Sequence, residues 1–204
     1  MKAVEEMHVA VLAGGPGSER EVSLASAKGV AGALEGKVRK VTFVDVQNNN
    51  FELPDDIDVA FNVIHGTFGE DGALQAELDK RGVVYTGARQ KSSEVAFDKI
   101  LSKEAFVAAG VTTPVSEVVM INEGNCSAGS VGIPCVVKPP REGSSVGVHL
   151  VETEEDWDSA IEDAGKYSND VMVEQLIRGK ELTVGIVGDE VLPVVHIQPR
   201  SGFY

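Results

Sequence analysis

Residues 8–15 read HVAVLAGG. After His8, five apolar residues run without a polar alternation and stop at two glycines. A strand of this kind has no face suited to water. It fits a parallel strand covered on both sides that ends in a Gly loop. The next segment, SEREVSLASAKGVAGAL, predicts a helix. Ser18 and Glu21 have capping-box spacing. Val22, Ala25, Gly29, Val30, Ala33 and Leu34 form its expected apolar stripe, and Gly36 can end it. VRKVTFVDV and DVAFNVI predict further strands, EDGALQAELDKRG a helix and VVYTG a short strand. Strands alternating with helices indicate βαβ units and a parallel sheet.

The pattern changes near residue 90. SSEVAFDKILSKEAFVAAG predicts one helix, capped by Ser92 or Ser93 and closed by Gly110. Strands follow at VSEVVMI, IPCVVKP and VGVHLVE. Thr153 is placed to cap the helix EEDWDSAIEDAG, and DVMVEQLI predicts another strand. KELTVGIVGDEVLPVVHIQ predicts two strands turning at Gly188-Asp189. This region reads as α+β with antiparallel pairing, and the boundary between the two styles falls at residues 88–92.

The chain has 204 residues, enough for one large or two small domains. Its net charge of −14 argues against non-specific nucleic-acid binding, which needs clustered cations. The two cysteines, Cys126 and Cys135, lack CxxC partners and fit a reducing compartment, one in a loop and one buried. The first residues lack the apolar core and cleavage site of a signal peptide. No apolar run approaches the roughly 20 residues of a membrane span. A cytoplasmic protein is expected.

Several constellations could carry chemistry. In VVKPPREGSSVGV, two strands flank a loop with Lys138 at its entrance and Gly143, Ser144, Ser145 and Gly147 within it. The loop could be a flexible hairpin. Glycine also lets backbone N–H groups approach a ligand, and such groups suit phosphate oxygens. The sequence contains no Walker A motif. GGPGSER departs from a dinucleotide fingerprint, because Arg20 stands where the third Gly belongs. Glu19 could simply complement a helix dipole, or it could grip an ammonium beside an anion site. His65 ends an apolar strand and is followed by Gly66, Gly69 and Gly72, so it fits a structural or a functional role. Lys99 fits a solvated helical charge. Glu174 and Glu181 fit surface charges, while Leu176 and Ile177 between them could wall a planar base.

The motifs LAGGPGSEREVS, HGTFGEDG, FDKILSK, VVKPPREGSSVGV, VEQLIRGKELTV and LPVVHIQPRSGFY together resemble the D-alanine–D-alanine ligases of the ATP-grasp superfamily. The resemblance covers nearly the whole chain. It implies a parallel-sheet N-terminal substrate-binding domain at 1–90, of the type that precedes an ATP-grasp domain. An antiparallel central ATP-grasp subdomain would follow at 91–178, and an incomplete C-terminal subdomain would begin at 179–204. It implies Lys99 and Lys138 on ATP phosphates, with Glu142, Ser144 and Ser145 on the covering loop. Glu174 and Glu181 would hold adenine and ribose, with backbone groups at Leu176 and Ile177 on the base. Glu19 would orient the first D-alanine, Val22 would line that pocket, and His65 would assist. Ser144 would help position Glu19's network and a loop tyrosine, which makes Glu19, His65 and Ser144 the expected catalytic set.

The implied reaction passes through an acyl phosphate and serves peptidoglycan precursor synthesis. Its implied partners are ATP, D-alanine, Mg²⁺ and a second copy of the chain. Family members continue beyond SGFY with the Mg²⁺ ligands, an oxyanion-binding Arg and a mobile loop carrying a catalytic Tyr and Lys. No metal ligand is therefore expected within these residues, and the chain as given is expected to be an inactive fragment. A non-catalytic ATP- or metabolite-binding module, or a D-alanine–D-lactate or D-alanine–D-serine ligase, stand as alternatives.

Overall fold

The computed structural model describes residues 2–123 and 127–200. Two compact units result: residues 1–113 with Pro140–Gly143, and residues 114–139 with 144–204.

In the first unit, β1 (His8–Gly14) is buried along its whole length. It lies between β2 (Lys40–Val46) and β3 (Val59–Asn62), parallel to both. Alternate β1 side chains enter two separate cores. Ala10 and Leu12 pack with Val46, Ile64, Leu74 and Leu78, the last two from α2 (Ala73–Lys80). Val9, Val11 and Ala13 pack with Ala27, Val30, Ala31 and Leu34 of α1 (Arg20–Leu34). A helix thus covers each face, which is why the strand carries no polar alternation.

The helix expectations need two corrections. The capping box at Ser18 and Glu21 does not form: α1 begins at Arg20, and its N-cap is Glu19 without a side-chain cap. The buried stripe is also rotated from the one expected. Val22, Ala25, Gly29 and Ala33 are exposed, while Ser23, Leu24, Ala27, Val30, Ala31 and Leu34 face inward. Counting only apolar residues hid a serine on the core face. VVYTG forms one parallel bridge, Ala60 to Tyr85, rather than a full strand.

The long helix expected from Ser92 to Gly110 is two helices, α3 (Gln90–Phe97) and α4 (Lys99–Ala108). Asp98 separates them. Its backbone is extended, and its carboxylate accepts from Ile100 N and Leu101 N as the cap of α4.

In the second unit, β4 (Ser116–Met120), β5 (Cys135–Lys138), β6 (His149–Val151) and β7 (Asp170–Gln175) form an antiparallel sheet in the order β4-β7-β5-β6. Helix α5 (Trp157–Ala164) covers one face through Trp157, Ala160, Ile161 and Ala164, against Cys135, Val137, Val151, Val171 and Val173. Thr153 forms a capping box with Asp156 at the 3-10 turn that leads into α5. Cys135 is buried and free, and burial raises its thiol pKa. Cys126 lies outside the described residues.

The two strands expected near the C-terminus are four shorter ones. β8 (Glu181–Thr183) pairs with β11 (Val195–Ile197), and β9 (Ile186–Val187) pairs with β10 (Glu190–Val191). Gly188 and Asp189 form the expected turn. Gly185 and Pro193 mark the interruptions, as poor ladder residues do. No helix among the described residues is long and apolar enough to cross a membrane.

The amino-terminal end of the parallel sheet is tied by a fully buried histidine. His8 Nδ1 lies 2.8 Å from Asp56 and Nε2 lies 2.7 Å from Thr42. The His8 backbone N donates to Asp58 at 2.8 Å. Burial by itself would raise the Asp56 pKa, but the hydrogen bonds from His8 and Arg39 and the charge of Lys40 bring it below the ordinary range. His8→Ala should remove the ring contacts of Asp56 and Thr42, leave a cavity at a fully buried position and cost about 2–3 kcal/mol of stability, measured by equilibrium urea denaturation.

Candidate functional site

The first unit gathers three loops. The Gly loop after β1 delivers Glu19, the segment after β3 delivers His65 and Gly66, and the start of α4 delivers Lys99. Gly66 has a φ of 66°, and a Cβ there would stand 2.9 Å from Glu19 Oε2. The carboxylate therefore lies directly over this glycine, which explains the need for Gly in position as well as in φ. His65 Nε2 is 3.3 Å from Ser26 Oγ, and its Nδ1 is 3.7 Å from Glu70. Asp71 fixes the same loop by accepting from Phe68 N and Ala73 N.

Lys99 is bound to the segment Pro140–Gly143, which belongs to this unit. Its ammonium donates to the Glu142 carbonyl at 2.6 Å and to the Pro140 carbonyl at 3.4 Å. Its backbone N also donates to Pro140 O. Beside it, Arg141 Nε donates to Asp98 Oδ2 at 2.7 Å. Asp98 thus serves two masters with its two oxygens: one caps α4, the other holds the loop arginine. Glu19 Oε2 would stand 3.6 Å from a Cβ on Gly143. The Glu142 carboxyl lies above its ordinary pKa. Burial is the main cause, the Lys99 charge opposes it, and the Glu19 charge adds to it.

In the second unit, Val136 and Lys138 alternate with the core residues Cys135 and Val137, so they point away from α5. On the neighbouring strand, Met172 and Glu174 do the same. The register sets Val136 opposite Glu174 and Lys138 opposite Met172. Lys138 and Glu174 form a largely buried ion pair on this face, their side chains 18% and 13% exposed. Met172 is buried on the same face, while Leu150 and Val118 continue it as partly exposed apolar surface. The outcome is an apolar sheet face with one ion pair at its end.

The remaining expected site residues, Leu176 apart, are open to solvent. Leu176 is half-buried, Ile177 is exposed, and Glu181 is exposed on β8. Val22 is exposed on the first turn of α1. Ser144 and Ser145 have φ of 51° and 59°, a left-handed conformation that is costly away from glycine. Four residues were missed as site elements: Arg20, Ser23, Asp98 and Arg141. Asp98 could have been found, because Asp directly before an apolar helical run is a start signal. No group of three or more His, Cys, Asp or Glu side chains suited to a metal ion occurs among the described residues.

A parallel α/β unit, an antiparallel sheet with a lysine at the end of one strand, and a Gly-Ser loop after that lysine are fold elements of the ATP-grasp class. Comparison with known proteins agrees and is more specific. The family model described as D-ala D-ala ligase C-terminus matches residues 113–204, and that for D-ala D-ala ligase N-terminus matches residues 45–88. A D-alanine–D-alanine ligase of Methylacidiphilum infernorum is 45% identical over 197 residues, which is 97% of this chain and 64% of the relative. One from Thermotoga maritima is 43% identical over 206 residues, 97% of this chain and 66% of the relative. The crystal structure of a Bacillus anthracis D-alanine–D-alanine ligase complexed with ATP superimposes with a TM-score of 0.82 at 28% identity, covering 97% of this chain and 68% of that one. The chain belongs to the D-alanine–D-alanine ligase family. It spans less than two thirds of the length of the first of these relatives.

The Glu142 carboxyl offers a test of the first-unit cluster. A carboxyl whose pKa is raised in the fold binds its proton more tightly there than in the unfolded chain. Its contribution is complete below the unfolded value of about 4.3 and is lost as pH rises through the folded value. Glu142→Gln cannot ionise and keeps the backbone carbonyl that Lys99 uses. It should melt at a higher temperature than the parent at neutral pH, and the gap should close as pH falls below about 4. Thermal unfolding at a series of pH values measures this.

Proposed function

We propose that this chain supplies the first-substrate site and much of the ATP site of an ATP-dependent ligase that joins two D-alanines for peptidoglycan precursors. The observation that carries the reading is the convergence of Glu19, His65, Lys99 and Glu142 in the first unit, drawn from four of the motifs that mark the family. Glu19 takes the ammonium of the first D-alanine, with His65 beside it and Val22 lining the pocket. Lys99 and Lys138 take phosphate oxygens. The segment bearing Glu142, Ser144 and Ser145 covers the phosphates, and Ser144 also helps position the Glu19 network. Glu174 and Glu181 take the adenosine part, with the backbone of Leu176 and Ile177 on the base.

In the reaction, a carboxylate oxygen of the first D-alanine attacks the γ-phosphorus of ATP, and ADP leaves. The amine of the second D-alanine attacks the carbonyl carbon of the acyl phosphate. Inorganic phosphate leaves, the amine loses a proton, and the peptide bond remains. The residues of this chain contribute by holding charge and by orientation, which carry most of the catalysis in phosphoryl transfer. Magnesium would neutralise phosphate charge in such a reaction, and we assign its ligands to residues beyond 204. The functional division follows the three segments 1–90, 91–178 and 179–204. A cytoplasmic homodimer completes the proposal.

Two substitutions in the full-length enzyme test it. Glu19→Gln removes a charge-assisted bond worth roughly 1.5–3 kcal/mol, so the D-alanine KM should rise about ten- to a hundredfold while the ATP KM holds. Lys138→Ala should raise the ATP KM and lower kcat, because a fixed ammonium beside the phosphates is lost. Steady-state kinetics with each substrate varied in turn gives both answers. Unchanged D-alanine kinetics in the first variant, or unchanged ATP kinetics in the second, refutes the corresponding assignment.

A further inference from the structure

Glu19 sits on a loop, and a loop holds a carboxylate in place only if something holds the loop. Arg20, the next residue, provides a clamp. Its Nη2 donates to both oxygens of Asp45 on β2, at 2.8 and 2.7 Å. Its Nη1 reaches the carbonyls of Gly15 at 3.4 Å and Val46 at 3.3 Å. The planar guanidinium thus joins the Gly loop to the end of β2 with a fork that a lysine cannot reproduce. Gly14 makes room for it: a Cβ at that position would stand 2.3 Å from Arg20 Nη1 and 2.6 Å from Asp45 Oδ1. Ser23 ties the other side. Its buried hydroxyl accepts from Gly14 N at 2.9 Å and donates to Val63 O at 2.6 Å, two residues before His65.

The geometry points to Arg20, Asp45 and Ser23 as positioning residues that aim the Glu19 carboxylate at the ammonium of the first D-alanine. This rests on the reading of Glu19 given above. The Arg20–Asp45 pair is partly exposed, with side chains 30% and 39% accessible. Pairs of that kind contribute little to stability. A geometric role therefore accounts better than a stabilising one for a guanidinium that spans both Asp45 oxygens with one nitrogen and two loop carbonyls with the other. Arg20 also stands where a dinucleotide fingerprint would have its third glycine, so the same position that excludes one ligand serves the placement of another.

The test is a double-mutant cycle in the full-length enzyme, with D-alanine KM for the first site, ATP KM and melting temperature measured for Arg20→Lys, Asp45→Asn, Glu19→Gln and Glu19→Gln/Asp45→Asn. Arg20→Lys and Asp45→Asn should each raise the D-alanine KM about tenfold and leave the ATP KM within about twofold. Adding Asp45→Asn to Glu19→Gln should cause no further rise, because the clamp then has no carboxylate to aim. Equal losses for both substrates, unchanged D-alanine KM in the single variants, or full additivity in the double variant overturns the inference. If Glu19→Gln itself leaves the D-alanine KM unchanged, the assignment of Glu19 fails instead, and the clamp loses its purpose with it. Should Arg20→Lys fold poorly, Asp45→Asn at the more exposed end of the pair decides the question.

Discussion

The burial of β1 on both faces is the constraint from which the first unit is built. A strand without a wet side must have a layer above and a layer below, and here these are α1 and α2. Once both helices are in place, the chain can leave β1 only at its carboxyl end, through Gly14 and Gly15. The first turn of α1 then starts directly above that edge. Glu19 owes its location to this chain of necessity, since the loop between β1 and α1 is short. The neighbouring strand β3 ends at the same edge and brings His65 and Gly66 alongside. A site at the carboxyl ends of parallel strands follows from the layer structure itself.

The second unit solves a different problem with the same economy. Its sheet uses one face for the packing of α5 and carries Val136, Met172 and Leu150 on the other, with Met172 buried there. An apolar face that ends in Lys138 and Glu174 suits a ligand that is flat and apolar at one end and charged at the other. The strand period of two does the sorting: shifting β5 by one residue would bury Lys138 under α5 and expose Val137.

Much of this was legible in the residues. The parallel and antiparallel regions follow from alternation and run length; of the expected strands, VVYTG is reduced to a single bridge and the last two break into four. The failures have physical reasons. Ser23 was hidden because a stripe of apolar residues was sought, whereas the core face of α1 includes a hydroxyl satisfied by two backbone groups. The helix break at Asp98 was hidden because its capping role competes with a good run of helix formers on both sides. Arg141 and Arg20 could not be placed from sequence, because their partners Asp98 and Asp45 lie 43 and 25 residues away. The motifs identified the family more readily than they revealed which polar residues hold the loops still.

The pairing of the two lysines bears on how an anion would arrive. Lys138 is matched by Glu174, and the Lys99 ammonium is already engaged by loop carbonyls. The carbonyls orient the Lys99 ammonium without cancelling its charge, and the chain as a whole carries a net charge of −14. A polyanion diffusing toward such a surface meets repulsion at long range and attraction to the lysines only at close range. Added salt, by shortening the reach of the repulsion to below about 10 Å, would then quicken the encounter rather than hinder it.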